Sequence, residues 1–416
     1  MKSTRRTFRV GAVVLGLGLA ASACGFGGDS GGGSEGGSQT LNLLVPSYSD
    51  NTKGLWEGII KDFEAENSDV SVKLEVQSWD NINDVIRTKV QSGDAPDILN
   101  IDAFAGFAAD DLLYPASDVL SDDTLADFQD TFVENASIDG EQYGLPLIAS
   151  ARTLFMNKDL MDKAGVTEAP KTWDELLAAS KKVSELGGGV SGYGMPLGSE
   201  EAQAETSIWA FGNGASWGDS DKITVDTPEA VEAVSFMKKM IDEGATQDNP
   251  GATDRTPLIN VFVQGKIGFI EALPPTVGQI ETENPELNYE LAPIPTKDGS
   301  PVTLGVADHL MAFKNDGDKQ ESITKFLDYF YSTDVYTNFV TKENFLPVTK
   351  SAAEQMDNPD MQVFLDALPD AQFYPSTNTA WSATQGAFQT LIGQIGQGKD
   401  PAEVLKAIQA KADEAS

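Results

Sequence analysis

The chain has 416 residues, of which 40% are hydrophobic, and it carries 64 acidic side chains against 29 lysines and arginines, for a formal net charge of -35. A protein this acidic is repelled by nucleic-acid phosphates and by anionic lipid, which excludes nucleic-acid binding as its function. Its length exceeds what one hydrophobic core usually supports, so we expect two domains.

Residues 1–23 predict a signal peptide for export. Four cations within residues 1–9 precede an uncharged run over 10–23, and this run is shorter than the ~20 apolar residues of a membrane-spanning helix. The hexapeptide STRRTF at 3–8 also resembles a twin-arginine export signal. The sequence therefore leaves both the general and the twin-arginine routes open.

Cys24 is the only cysteine of the chain, so no intramolecular disulfide can form. It follows the tripeptide Ala-Ser-Ala, which resembles the bacterial lipobox, although Ala21 replaces the usual leucine. We expect a lipid on Cys24 that anchors the protein at the outer face of the cell membrane; a free thiol is the alternative. Residues 24–39 are rich in Gly and Ser and predict a flexible tether with a reach of roughly 20 Å.

The folded part begins with alternating strand and helix patterns. Short apolar or alternating runs predict strands, and apolar residues at helical spacing predict helices, with Asp80 as the expected cap of the second helix. This order is typical of an open, mostly parallel α/β sheet, in which ligands bind beyond the carboxyl ends of the strands. The predicted strands and helices alternate over 41–46, 55–63, 70–76, 82–90 and 97–101.

Three further helices have recognisable starts. Thr172 and Glu175 have the spacing of a capping box, in which each side chain satisfies the other residue's backbone amide. Thr227 precedes a proline at a first helical position, and Asp400 does the same near the end of the chain.

Six blocks of sequence resemble one family. The blocks are similar to the bacterial extracellular solute-binding proteins that serve ABC-type sugar importers, as maltose-binding protein does. They are spread over residues 143–412: YGLPLIASARTLFMNKDLMDKAGV with APKTWDEL after it, from 143; FVQGKIGFIEA, from 262; LAPIPT, from 291; LGVADHLMAF, from 304; KFLDYFYSTD, from 325; and GKDPAEVLKAIQAKA, from 398.

The resemblance implies a two-lobed, periplasmic-binding-protein-like α/β fold of type II. Mostly parallel sheets are flanked by helices, and a hinge between the lobes lets them close on a ligand. The implied N-terminal lobe comprises 40–149 plus 303–350, and the C-terminal lobe comprises 150–302 plus 351–416. The implied function is capture of a sugar or oligosaccharide between the lobes and delivery to the membrane permease.

Sugars present hydroxyl groups and flat CH patches, so a sugar cleft needs carboxylates, amides and aromatic faces. Loops at strand ends supply the first candidates. Tyr48 and Asp50 follow the first strand, with ordinary turn chemistry as the alternative. Asp102 and Phe104 follow the third strand, and Trp79 lies where a strand gives way to a helix.

Two candidates lie at the implied passage between the lobes. Ser150 falls where maltose-binding protein has an acidic ligand residue, if Pro146 and Asn157 are used as anchors. Arg152 can donate a forked pair of bonds to a ligand, or it forms an interlobe ion pair. If Arg152 faces the cleft, an acidic sugar enters consideration.

The remaining candidates come from the second half of the resemblance. Trp217 flanks a Gly-Asn-Gly loop, and Trp381 falls where similar sequences have a stacking aromatic. Glu271 precedes Leu-Pro-Pro, where the family usually has Gly-Pro-Trp. Asp308 and His309 lie in the segment that returns to the first lobe, and a structural role is the alternative for the single histidine.

The sequence lacks the motifs of an enzyme. One histidine and one cysteine provide no zinc cluster, and neither GxSxG nor a P-loop is present. We therefore predict a monomeric binding protein with no catalytic residue, metal or cofactor, whose partners are a sugar and the importer's permease subunits. A receptor for a polyamine, metal chelate or other charged solute is the alternative, and a secreted carbohydrate-active enzyme is a more distant one.

Overall fold

The computed structural model describes residues 39–315, 319–356 and 361–416. The predicted signal peptide, Cys24 and all but the last residue of the predicted tether lie outside the described residues. Within these ranges, none of the helices combines the length and the apolar character of a membrane-spanning segment.

The strands and helices of the described residues alternate along most of the chain. The strands are β1 (Gln39–Pro46), β2 (Val70–Gln77), β3 (Ile98–Ile101), β4 (Ser137–Ile138), β5 (Glu141–Gln142), β6 (Leu145–Ala151), β7 (Thr153–Asn157), β8 (Ser191–Gly194), β9 (Ile267–Ala272), β10 (Tyr289–Ala292), β11 (Thr303–Ala312) and β12 (Ala371–Gln372). The α-helices are α1 (Thr52–Glu66), α2 (Trp79–Ser92), α3 (Ala105–Ala109), α4 (Ala116–Val119), α5 (Asp122–Asp127), α6 (Asp130–Asn135), α7 (Lys158–Ala164), α8 (Trp173–Ser184), α9 (Ala202–Phe211), α10 (Pro228–Asp242), α11 (Arg255–Val263), α12 (Pro275–Glu283), α13 (Gln320–Phe330), α14 (Thr333–Lys342), α15 (Lys350–Gln355), α16 (Gln362–Ala367), α17 (Trp381–Leu391) and α18 (Pro401–Ala415).

The first lobe is built on a sheet with the order β12-β11-β3-β1-β2, to which β6 adds by pairing with β11. Strand β1 is parallel to both β2 and β3, as the alternation of strands and helices predicts. Strand β11 runs antiparallel to β3 and to β6. The carboxyl ends of the three parallel strands therefore lie at one edge of this sheet.

Helix α2 begins at Trp79, two residues earlier than a cap at Asp80 requires. Ser78 is the N-cap residue, and Asp80 lies in the first turn, so the prediction that Asp80 caps this helix is wrong. A carboxylate in the first turn still interacts favourably with the positive end of the helix dipole. Gly93 ends the helix with a left-handed φ of 73°, a conformation that favours glycine.

The second lobe is built on a sheet with the order β10-β7-β9-β8. Strand β7 is antiparallel to both neighbours, whereas β8 and β9 are parallel. Trp173 is buried beside this sheet and packs against Trp209, with ring centroids 5.4 Å apart. The capping box predicted before α8 is present in full, with Thr172 as the N-cap residue.

Among the residues that the structure describes, three places mark a passage of the chain between the lobes. The first crossing lies at Arg152, between β6 and β7, and the second lies between β10 and β11. The third follows α15, because Ser351 at the start of that helix bonds to Asp127 of the first lobe through its backbone N–H and its hydroxyl. The lobe boundaries given for the chain, including the one after residue 350, stay a prediction.

Helix α10 offers a direct test of the predicted helix starts. The Thr227 hydroxyl accepts a hydrogen bond from the backbone N–H of Ala230, and Pro228 occupies the first turn. Thr227→Ala is expected to lower the free energy of unfolding by about 1 kcal/mol because it leaves that amide unpaired. Thr227→Ser keeps the acceptor and should retain most of the stability. Denaturant unfolding of both variants checks this, and equal losses would contradict the assignment.

Candidate functional site

A narrow cleft of about 60 Å³ lies between the two lobes. This volume is far below the ~300–1,000 Å³ of typical small-molecule pockets, so we infer that the lobes separate to admit a ligand. The lining residues come from both lobes and from the crossing strands: Tyr48, Trp79, Asn83, Asp102, Ile148, Ser150, Arg152, Glu201, Gln203, Leu273, Val306, Asp308, Phe345, Tyr374, Gln385 and Gln389.

The first lobe contributes residues from the carboxyl ends of its parallel strands. Tyr48 follows β1, Trp79 follows β2 and Asp102 follows β3. This arrangement agrees with the general rule that open α/β sheets bind ligands beyond those ends. The structure thus brings together three candidates from three separate loops.

The crossing strands contribute alternate residues, because successive side chains of a strand point to opposite faces. Ser150 and Arg152 line the cleft two positions apart, and on β11 Val306 and Asp308 do the same. Half of the twelve predicted ligand residues therefore reach the cleft, and their contact with a ligand stays a prediction: Tyr48, Trp79, Asp102, Ser150, Arg152 and Asp308.

His309 and Phe104 do not line the cleft. His309 points to the face of β11 opposite to Asp308, is fully buried, and packs edge-on against Phe104 at 5.2 Å between ring centroids. Burial lowers the pKa of His309 to about 4, so the ring is neutral at pH 7. Both residues belong to the core of the first lobe, because their side chains point away from the cleft.

Four other candidates also lie away from the cleft lining. Asp50 is exposed in the turn before α1. Trp217 is buried in the second lobe, where its indole N–H donates to Ser207 Oγ at 2.6 Å. Glu271 is buried on β9. Trp381 is fully buried at the start of α17.

The aromatic ring that lines the cleft from the second lobe is that of Tyr374, whereas the sequence predicted Trp381 for this role. The two rings stack with centroids 4.9 Å apart and an angle of 27° between their planes, and Tyr374 is the ring that lines the cleft. On the first-lobe side of the cleft, the ring of Tyr48 makes edge contacts with Trp79 and Phe345, with ring centroids 5.6 Å and 5.0 Å apart. Aromatic faces from both lobes therefore border the cleft.

The amide side chains of the cleft are not among the candidates predicted from the sequence. Gln385 and Gln389 lie four and eight residues after Trp381 on α17. Residues four apart lie on the same face of a helix, so the candidate Trp381 could have led to both glutamines. Gln203, at the start of α9, and Tyr374 carry no comparable signal. Only the folding of the second lobe brings them to the cleft.

Asp308 carries a proton in the arrangement around Tyr48. The Tyr48 Oη lies 2.9 Å from Asn100 Oδ1 and 2.7 Å from Asp308 Oδ2. The Asn100 amide is oriented by its Nδ2, which donates to the backbone carbonyl of His309. A phenol has one proton and cannot donate to two acceptors. Asp308 therefore donates to Tyr48, and Tyr48 donates to Asn100.

The electrostatics of the two buried carboxyls agree with this assignment. Burial, followed by the charge of Asp102, raises the pKa of Asp308 to about 8. Burial raises the pKa of Asp102 less, to about 6, because hydrogen bonds that include one from Gln385 Nε2 at 3.1 Å stabilise the charged form. At neutral pH Asp308 is mostly protonated and Asp102 is mostly ionised.

The second lobe holds a buried network of charged residues behind the cleft. Arg152 Nη2 donates to Glu201 Oε1 at 2.8 Å, and Arg255 Nε lies 3.0 Å from the other oxygen of Glu201. Arg255 also bonds to Glu205 and to the backbone carbonyl of Glu271. Burial and the charge of Glu205 raise the pKa of Glu271 well above its ordinary value.

Several buried polar atoms of the cleft residues have no hydrogen-bond partner in the described part of the chain. They are Nε and Nη1 of Arg152, Oε1 of Gln203 and Oη of Tyr374. Such groups each cost about 1–3 kcal/mol when left unpaired, so native proteins seldom retain them. These donors and acceptors suit a ligand that carries hydroxyl groups. Among the described residues no group of three or more His, Cys, Asp and Glu side chains could hold a metal ion.

Two sheets joined by three crossings, with a polar and aromatic cleft between them, define a binding protein with the type II periplasmic-binding fold. The family model for bacterial extracellular solute-binding proteins matches residues 47–337. The chain belongs to this family.

Similar proteins extend the comparison to nearly the full chain. A binding protein of Brucella abortus (strain 2308) is 35% identical, with 90% of this chain and 92% of that protein covered. The diacetylchitobiose binding protein DasA of Streptomyces coelicolor is 25% identical, with 96% of each covered. A solved solute-binding protein of Thermotoga lettingae, bound with alpha-D-tagatose, has a TM-score of 0.81 at 22% identity, with 91% of this chain and 100% of that chain covered.

The proton on Asp308 predicts how stability depends on pH. The pKa of Asp308 is about 8 in the folded state, against an ordinary value of 3.8, so between these values the folded state binds more protons than the unfolded state. This contribution is full below pH 4 and is lost as the pH rises towards 8, by up to about 1.4 kcal/mol per pH unit.

Asp308→Asn removes this titration and keeps a donor for Tyr48. We expect the free energy of unfolding of the variant to fall less steeply than that of the wild type between pH 4.5 and 7.5. Urea unfolding across this range measures both slopes. Parallel slopes would show that Asp308 is ionised in the folded protein.

Proposed function

We propose that the protein is the substrate-binding component of an ABC-type importer and that it captures a sugar or oligosaccharide between its lobes. The observation that carries this proposal is the set of buried, unpartnered polar atoms on Arg152, Gln203 and Tyr374, beside aromatic rings from both lobes. Sugar hydroxyls satisfy such atoms, and the flat CH faces of the sugar pack on the rings.

The similar proteins support a carbohydrate ligand. DasA is described as a diacetylchitobiose binding protein, and the Thermotoga lettingae structure contains alpha-D-tagatose. The cleft of this chain suits such a ligand, because carboxyl, amide and aromatic groups converge in it.

Closure of the lobes is the proposed mechanism of capture. Tyr48, Trp79 and Asp102 meet the ligand from the first lobe, and Arg152 and Gln385 meet it from the crossing and from the second lobe. The bond from Gln385 to Asp102 already joins the two lobes. We propose that a bound sugar adds further bridges and so stabilises the closed form, which the permease then recognises. The sugar is released chemically unchanged.

The proposed location follows from the N-terminal sequence. We infer that a lipid on Cys24 holds the protein at the outer face of the cell membrane and that the Gly- and Ser-rich residues beyond it act as the tether. The folded part then works as a monomer close to the permease.

A saccharide screen tests the function. A bound sugar should raise the melting temperature, by the equivalent of about 2.7 kcal/mol at a hundredfold excess over the dissociation constant. Trp79→Ala should weaken binding roughly tenfold because an aromatic face is lost, whereas Trp79→Phe should bind nearly as well as the wild type. Calorimetry measures both. Turnover of the sugar, or no response to any saccharide, would reject the proposal.

Cys24→Ser tests the anchor. The variant should lose incorporation of labelled fatty acid and move from the membrane fraction to the soluble fraction of the expressing cells, because no thiol remains for acylation. Ser22→Ala changes a neighbouring small residue and should leave both properties intact. Retention of the label by the Cys24→Ser protein would show that the lipid is attached elsewhere.

A further inference from the structure

A second concavity adjoins the cleft on the second lobe. Its volume is about 270 Å³, close to the lower end of the ~300–1,000 Å³ range of small-molecule pockets. Gln389 lines both this concavity and the cleft. We call it the outer groove and define it by Ser199, Asp254, Gln389, Gln394 and Gln397. The shared glutamine makes the two spaces neighbours.

Closely packed glycines form part of the outer groove. A Cβ atom on Gly251 would lie 2.1 Å from the backbone oxygen of Gly393, and one on Gly393 would lie 2.3 Å from the backbone oxygen of Gly251. The two backbone segments therefore touch directly, and neither residue can be replaced without moving the other. This contact holds the Gln394 segment against the Asp254 segment.

The polar groups of the outer groove are available to a ligand. The side chains of Gln389, Gln394 and Gln397 make no hydrogen bond to other residues in the described ranges, and each is at least partly exposed. Asp254 uses Oδ1 to accept from the Glu200 N–H at 3.0 Å and from the Ser199 hydroxyl at 3.4 Å. Its other oxygen faces no donor among the described residues.

This chemistry selects neutral, hydroxyl-bearing groups. Amides donate and accept, and a carboxylate accepts strongly from hydroxyl groups. No lysine or arginine lines the outer groove, so it does not suit a phosphate or a carboxylate. No aromatic ring lines it either, so recognition there depends on hydrogen bonds.

The outer groove also lies near the edge where the lobes meet. Asp80 belongs to α2 of the first lobe, and Asp254 is close enough that its charge, after burial, contributes to a raised pKa of Asp80. Because Gln389 lines both spaces, the outer groove is open to a ligand that extends out of the cleft past this residue.

We propose that the outer groove is a subsite for additional sugar units of an oligosaccharide whose first units occupy the cleft. This inference rests on the proposed sugar-binding function and adds to it a preferred ligand length. On this proposal, the cleft alone determines the affinity for short sugars. The outer groove provides the increase in affinity for longer sugars.

The test compares sugars of one to five units from the malto-, manno-, laminari- and chito- series by calorimetry. In the series that the wild-type protein binds, affinity should rise with chain length. The double variant Gln394→Ala, Gln397→Ala removes two hydrogen-bonding amides from the outer groove. It should lose roughly tenfold in affinity for the longest sugar while binding the shortest as the wild type does.

Gln91→Ala is the matched control, because it makes the same change at an exposed position of α2 outside both spaces. It should bind every length as the wild type does. Equal affinities of the double variant and the wild type for all lengths, or equal losses for all lengths, would overturn the subsite and leave the proposed function standing. Binding of no sugar by the wild type would overturn both.

Discussion

The position of Arg152 is the constraint around which the cleft is built. Its backbone N–H donates to the Thr303 hydroxyl at 2.9 Å, and that hydroxyl donates back to the carbonyl of Arg152 at 2.7 Å. The first and second crossings are thereby tied together at one point. Its side chain is 1% exposed, and a buried cation without a counter-charge costs several kcal/mol. Glu201 supplies that charge and also approaches Arg255, so the crossing is coupled to the interior of the second lobe.

The first lobe buries two acidic side chains beside the cleft instead of a cation. Asp102 and Asp308 are both buried, and neither forms an ion pair in the described part of the chain. Two like charges in a low dielectric repel each other, so one of them keeps its proton. Tyr48 and Asn100 accommodate that proton through a directed chain of hydrogen bonds. This side of the cleft therefore presents the ionised carboxylate of Asp102 as an acceptor, beside a neutral pair, Asp308 and Tyr48, whose protons are already used in hydrogen bonds.

The aromatic residues show how a shared fold acquires a site of its own. The family's usual Gly-Pro-Trp is replaced here by Leu273 and two prolines, and Leu273 lines the cleft. Tyr374, supported from behind by Trp381, supplies an aromatic face from the second lobe. The buried tryptophan thus acts as a platform for the ring in front of it. Similarity to other members establishes the fold, whereas such local substitutions determine which surfaces a ligand meets.

Local patterns in the sequence predicted the early strands and helices, the ends of the first strands and several helix starts. Alternation and helical spacing depend on neighbours a few residues apart, so the early strand and helix order and the capping box at Thr172 could be predicted. The rule for parallel sheets then located Tyr48 and Asp102.

Which side chains at those positions turn towards the cleft depends on how the chain folds. Asp308 and His309 are adjacent yet point to opposite faces of β11, and a one-residue shift of register would exchange them. Tyr374 reaches the cleft because packing on Trp381 orients it, while Gln385 meets Asp102 across 283 positions of sequence. The directions of these side chains are set by contacts between segments far apart in the chain, and no local pattern of residues records such contacts.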